Sequence, residues 1–216
     1  MVNEIIAIVL GYLLGSIPSA YVATRVVTGK DIRRLGGGNV GAVNTFREVG
    51  IKVGLAVVIV DLGKGVAAVA IAYWLLEVPQ LFVMLTGLAA AVGHMWMVFL
   101  KFSGGKGMGT TFGALIVLMP IYGYWYGLLI LFAVITVPFV ITRNVALAMG
   151  TGILFLPLIV WLITQSELAA VLAIILGVLV CIKFWSVARV AWARNKSARK
   201  FIFDRGQGGG DTRGKS

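Results

Sequence analysis

Long apolar runs separated by short polar segments make up most of this chain. A helix needs roughly 20 mainly apolar residues to cross the hydrocarbon core of a bilayer. The runs Ile5–Val27, Val53–Leu76, Leu81–Leu100, Asn144–Gln165 and Leu168–Val187 therefore each predict a membrane span. The first follows Met-Val-Asn-Glu rather than a basic stretch and exceeds the apolar core of a signal peptide, so it reads as a span that stays. Thr111–Thr142 is ambiguous, since its 32 residues are long for one crossing and short for two.

Positive charge resolves the ambiguity. Arg25, Lys30, Arg33, Arg34, Arg47 and Lys52 lie at the end of the first run and before the second. Lys101 and Lys106 follow the third run, and Arg189, Arg194, Lys196, Arg199 and Lys200 follow the last. The opposite ends carry Glu4, Glu77 and Glu167 with no Lys or Arg. Cytoplasmic loops of membrane proteins carry the excess of Lys and Arg. Every basic cluster falls on that side if Thr111–Thr142 crosses twice, turning near Pro120–Gly123 between two short spans. The expected architecture is thus all-α, with about seven transmembrane helices, the N-terminus outside and the C-terminus cytoplasmic. It forms one membrane domain over residues 1–203, with cytoplasmic glycine-rich loops at 28–52 and 101–110. A basic surface helix is expected over 186–203, drawn to anionic headgroups with Trp185 and Trp192 at the interface, then a disordered polar tail over 204–216.

Composition agrees. Of the 216 residues, 60% are apolar and 12% charged, against about 45–50% and 25% in soluble domains. A mean hydropathy of +0.99 excludes both a soluble enzyme and a disordered chain. The net charge of +11 would point to nucleic acid in a soluble protein; here it reflects topology, and no nucleic-acid partner is expected. One cysteine, Cys181, and one histidine, His94, leave no disulfide framework and no multi-ligand metal centre, and no cofactor is expected.

Two loops carry the candidate chemistry. The first contains Gly36, Gly37, Gly38, Asn39 and Gly41, then Asn44 and Arg47, with Arg33 and Arg34 just before. Glycines permit a concave nest of N–H groups that an anion can approach closely, and an arginine fork suits phosphate. The alternative is a flexible linker whose arginines only set orientation. No Walker loop occurs. The second loop, with Gly104, Gly105, Lys106 and Gly107, places a lysine where the next helix should begin, and a helix N-terminus favours an anion. Its alternative is a tight turn with a snorkelling lysine. Two such loops on one face point to one or two phosphate-bearing substrates.

Polar residues inside spans are costly and usually functional. Asp61 and Lys64, three apart, share a helix face; they read first as a structural ion pair and second as part of a site. For His94, a buried structural hydrogen bond and a site role stand equal. With Ser16, Pro18, Ser19 and Tyr21, these groups can meet in one polar cavity open to the cytoplasm.

The motifs Gly15-Ser-Ile-Pro-Ser-Ala-Tyr21, Gly29-Lys-Asp-Ile-Arg33, Gly36-Gly-Gly-Asn-Val-Gly-Ala-Val-Asn-Thr-Phe-Arg47, Asp61-Leu-Gly-Lys-Gly65, Gly93-His94 and Phe99-Leu-Lys-Phe-Ser-Gly-Gly-Lys-Gly107 occur in this order. They resemble the bacterial acyl-phosphate-dependent glycerol-3-phosphate acyltransferases over roughly residues 11–113. The resemblance implies a seven-spanning enzyme of the bacterial inner membrane with its active site facing the cytoplasm. It would transfer an acyl chain from acyl phosphate to the 1-hydroxyl of glycerol 3-phosphate, the first acylation of phospholipid synthesis. The products are lysophosphatidic acid and inorganic phosphate. Asn39, Asn44, Arg47 and Lys106 would hold phosphates or the reacting carbonyl, with the glycine loops as backbone donors. Implied partners are both substrates, membrane lipids and the enzyme that makes acyl phosphate. The chain departs from the family pattern at Gly37 (serine), Val43 (threonine), Met97 (proline) and Ala146 (serine), and Ala193-Arg-Asn-Lys-Ser197 lacks the family's histidine. Two other functions stand beside this one: a paralogue that binds these substrates without turnover, and a transporter of a small phosphorylated solute. Both glycine loops lie on one face, which argues against the transporter.

Overall fold

The computed structural model describes the backbone of residues 1–195 and the side-chain surroundings of residues 1–185 apart from 146. Its major elements are α1 (Val2–Gly15), α2 (Ser19–Thr28), α3 (Ala42–Glu48), α4 (Ile51–Ala70), α5 (Gln80–Met95), α6 (Met108–Ile121), α7 (Trp125–Thr142), α8 (Val145–Thr164) and α9 (Glu167–Asn195). No strand occurs among the described residues. Six segments are long and apolar enough to cross a membrane: Val2–Thr28, Ile51–Leu75, Gln80–Leu100, Trp125–Thr142, Leu147–Thr164 and Glu167–Trp185. The seventh apolar helix, α6, has 14 residues, about 21 Å of rise against a core of about 30 Å. The turn expected near Pro120–Gly123 falls between α6 and α7, where Gly123 adopts φ +82°.

The first run departs from expectation. The expected single helix over Ile5–Val27 is broken at Ser16–Pro18 into α1 and α2. Proline has no N–H to donate and pushes the preceding residue out of helical geometry. The carbonyl freed at Ile17 accepts a hydrogen bond from Lys64 Nζ at 3.0 Å. At the other end of the chain, α9 runs unbroken to Asn195, so the described part of the basic segment continues the last span's helix rather than starting a separate one. Residues 196–203 and the polar tail expected over 204–216 lie outside the described residues.

Small residues set the packing around the site. α1 lies on α5 and α4 on α6. A Cβ at Gly15 would strike the Ala90 backbone, one at Gly93 the Tyr12 carbonyl, and one at Gly65 the Thr110 carbonyl. Between membrane helices, where burial gives little driving force, such close backbone approach supplies the van der Waals contact that holds the bundle. The consequence is positional: α1, α4, α5 and α6 are locked together where the two glycine loops emerge.

Candidate active site

The first loop is built by side chains returning to its own backbone. Asp31 accepts the Arg33 N–H at 3.0 Å and pairs with its guanidinium at 2.6 Å, while that guanidinium stacks over Tyr21 at 5.3 Å. The pairing holds the Asp31 carboxyl below the usual carboxylate range. Arg33, expected to bind phosphate, here fastens the loop to α2.

Asn44, in the first turn of α3, is equally occupied. Its amide donates to the carbonyls of Leu35 and Asn39, each at 3.1 Å, and to Ile32 at 3.4 Å. Its Oδ1 accepts the Gly37 N–H at 3.2 Å. Asn44 thus holds the loop together through both its donors and its acceptor. The Gly38 N–H donates to Leu35 and the Gly41 N–H to Asn39. The expected nest of open N–H groups at Gly37, Gly38 and Gly41 is instead a loop bonded to itself. Gly36 adopts φ +52°, and the Asn44 and Glu48 side chains fill the place a Cβ would need. Asn39 lies half-buried against Gly41, and its carboxamide makes no hydrogen bond among the described residues.

The second loop folds back onto the end of α5. Lys101 and Phe102 both turn through positive φ, and the Gly105 N–H then donates to the His94 carbonyl at 3.0 Å. A Cβ at Gly105 would strike both the His94 ring and the Val40 carbonyl, so glycine there lets the second loop touch the first. A Cβ at Gly104 would meet the carbonyls of His94 and Met95, and Gly107 opens α6 with φ +77°. Between them Lys106 is half-buried, its ammonium 3.9 Å from the centroid of the Phe184 ring on α9. Burial, followed by the charge of Arg47, pushes the Lys106 amine down to about 8.

Arg47 is exposed on the last turn of α3. Among the described residues, neither Arg47 nor Lys106 has a carboxylate within ion-pair distance. Two cations from different loops that repel each other, one of them partly desolvated, form a site short of an anion. Two groups not singled out from sequence follow Lys106 closely along the chain. The hydroxyls of Thr110 and Thr111, in the first turn of α6, are buried without a hydrogen-bond partner. The only sequence signal for them is their place just after the glycine–lysine turn.

Deeper in the bundle, Asp61, Lys64 and His94 do come together, with Ser19. Asp61 Oδ1 accepts from Ser19 Oγ at 2.5 Å, lies 2.9 Å from Lys64 Nζ and 3.5 Å from His94 Nδ1. Ser16 Oγ donates to the Gly93 carbonyl at 3.4 Å. All five residues are buried, so this is a closed network rather than the open polar cavity expected. An apolar cavity runs through the bundle beside α6, from Thr111 past Leu115 and Leu88 to Tyr122 and Tyr124, walled by α8 and α9 through Leu156 and Leu176. No cluster of metal-ligating side chains occurs among the described residues.

Comparison with known proteins matches residues 5–193 to the family model described as glycerol-3-phosphate acyltransferase. Glycerol-3-phosphate acyltransferase 1 of Dehalococcoides mccartyi is 51% identical over 178 residues, 82% of this chain and 86% of the relative. Glycerol-3-phosphate acyltransferase of Geotalea daltonii is 39% identical, over 85% of this chain and 91% of the relative. Among solved structures, the glycerol 3-phosphate form of PlsY (YgiH), an integral membrane glycerol 3-phosphate acyltransferase, superposes with a TM-score of 0.78. It is 31% identical, covering 88% of this chain and 93% of that one. The lysophosphatidic acid form of the same protein gives 0.73 at 30% identity.

Proposed function

Because this chain belongs to the glycerol-3-phosphate acyltransferase family, we propose that it transfers a fatty acyl group from acyl phosphate to glycerol 3-phosphate. The product is lysophosphatidic acid. The observation that carries this reading is the unneutralised pair Arg47 and Lys106, brought together from the two glycine loops. A phosphate placed between them supplies the missing charge, and charge-assisted bonds to phosphate are the strong class. Thr110 and Thr111 offer hydroxyl donors at the N-terminus of α6, where the helix dipole also favours an anion. The apolar cavity beside α6 receives the acyl chain.

The donor is a mixed anhydride with a good leaving group, so alignment and charge stabilisation supply most of the catalysis. The 1-hydroxyl oxygen attacks the acyl carbonyl carbon, the carbon–oxygen bond to phosphate breaks, and the hydroxyl proton ends on the released phosphate. Arg47 and Lys106 hold the phosphates and offset charge as it builds. Asn44 and Arg33 act at one remove, by keeping the first loop in shape.

The excess of Lys and Arg in the loops supports a site on the cytoplasmic side of a bacterial inner membrane, in a chain of seven crossings with an outside N-terminus that takes its donor from the enzyme that makes acyl phosphate. The test is direct. Protein purified into nanodiscs receives palmitoyl phosphate and labelled glycerol 3-phosphate. Labelled lysophosphatidic acid with stoichiometric phosphate release is expected. Saturable binding of either substrate without product makes the chain a non-catalytic paralogue. In a parallel sample reconstituted into sealed proteoliposomes, accumulation of the labelled solute without acylation makes it a transporter.

A further inference from the structure

The buried network around Asp61 has no place in the chemistry just described, yet it touches the second loop directly. His94 is the joint. Its carbonyl holds the Gly105 N–H at 3.0 Å, and its ring occupies the space beside Gly105 that a Cβ would need. On its other side, its Nδ1 faces Asp61 Oδ1 at 3.5 Å. Asp61 is in turn fixed by Ser19 of α2 and by Lys64, which also reaches the Ile17 carbonyl at the break in the first span. Gly105 precedes Lys106 and touches the Val40 carbonyl of the first loop. Rotation of the His94 ring therefore alters the wall against which the second loop rests, and with it the position of the Lys106 ammonium beside Arg47.

We infer that His94, oriented by Asp61, is a positioning residue that sets the placement of Lys106 through Gly105, and that the ion pair is retained for this placement. His94 is 3% exposed, so bulk solvent does not reach it. A closed ionic network is a poor source of stability, because desolvating two charges offsets most of their attraction. It is a good way to fix one geometry among several, here the register of α2, α4 and α5 beneath the loop. Misplacing a substrate-holding group by about 1 Å costs on the order of a hundredfold in rate, so the loss of so small a wall is expected to be measurable.

This inference rests on the acyltransferase reading, so wild-type turnover is the control that tests that reading separately. The experiment uses the full chain in nanodiscs and compares His94→Asn, His94→Ala and Lys106→Met with the double variant His94→Ala/Lys106→Met. Asparagine can keep a donor near the position of Nδ1, and His94→Asn is expected within about threefold of wild type. His94→Ala is expected to lose roughly ten- to a hundredfold in kcat/KM for glycerol 3-phosphate. In the Lys106→Met background the same change is expected to cost less than threefold further, since the lysine it positions is gone; such non-additivity marks coupled residues. Losses that multiply in the double variant overturn the inference, and so does wild-type kinetics in His94→Ala. If His94→Ala does not fold, Gly105→Ala perturbs the same contact from the loop side. It is expected to reproduce the loss, again muted by Lys106→Met, and wild-type kinetics in Gly105→Ala overturns the inference equally.

Discussion

Lys106 gives the sharpest test of the proposed chemistry, because its surroundings set both the size and the pH range of the effect. In the ligand-free protein, burial and the neighbouring Arg47 lower its amine to about 8. A bound phosphate favours the ammonium and raises that value again, so binding of glycerol 3-phosphate and uptake of the proton are linked. Below pH 8 the amine is already charged and affinity is flat, since a phosphate monoester, with its second pKa near 6, is dianionic from about pH 7 upward. Above pH 8 the free protein must first gain a proton, and at pH 9 only about one-tenth of the amine carries it. The dissociation constant for glycerol 3-phosphate should therefore rise by up to tenfold per pH unit from about pH 8. The rise saturates once the whole charge-assisted bond is lost, about 1.5–3 kcal/mol, or roughly ten- to a hundredfold. Titration calorimetry in nanodiscs between pH 7 and 9.5 reads this without the labile donor. Lys106→Met should bind more weakly at pH 7.5 and show no alkaline slope. Lys106→Arg, charged throughout, should also be flat but tighter. The same alkaline slope in Lys106→Met would refute the assignment. Stability has the opposite sign: a lysine lowered on folding costs stability in full below pH 8, and the cost fades between 8 and about 10.5. Lys106→Met should therefore raise the unfolding temperature of the ligand-free protein at pH 7.

Three further outcomes are expected. A topology reporter inserted after Gly123 should lie on the opposite side of the membrane from one near Arg143; the same side for both would remove a pair of crossings. Gly37→Ser should raise turnover several-fold with a smaller effect on substrate affinity, because a Cβ at Gly37 meets nothing within 4 Å and φ there is not in the left-handed region; unchanged kcat would exclude a hydroxyl role at this position. Ala173→Phe, on the wall of the apolar cavity, should shift donor preference towards shorter acyl phosphates while leaving the KM for glycerol 3-phosphate within about twofold, and an unchanged chain-length profile would place the acyl chain elsewhere.

The spans were readable because a bilayer imposes one requirement, a long apolar run, and five of the six long segments lie within a few residues of where the pattern puts them. The break at Ser16–Pro18 was harder to read. A proline in an apolar run is compatible with a bent continuous helix, and at the break here the Ile17 carbonyl accepts from the Lys64 ammonium, a partner 47 residues away, as well as from the Ser19 N–H. The meeting of Ser19, Asp61, Lys64 and His94 was legible from their depths in three spans. That it would close on itself rather than open as a cavity depends on the near-contact of α1 with α5 and of α4 with α6 through glycines, which hydropathy does not record.

In the glycine loops the residue types alone do not separate groups that hold the loop from groups left without a partner. Asn44, Arg33, Arg47 and Lys106 look alike on paper as polar groups suited to phosphate. The structure divides them by whether each has a partner already. Asn44 uses its donors and its acceptor on the loop backbone, and Arg33 has Asp31. Arg47 and Lys106 have no carboxylate within ion-pair distance among the described residues, and the charge of Arg47 adds to burial in disfavouring the Lys106 ammonium. The first two bond the first loop to itself, and the other two carry the charge that an anion can meet. A site that folds with its cations unneutralised gives up stability that an anion restores on binding. That local conflict is the kind which, in an otherwise consistent fold, marks the place where function resides.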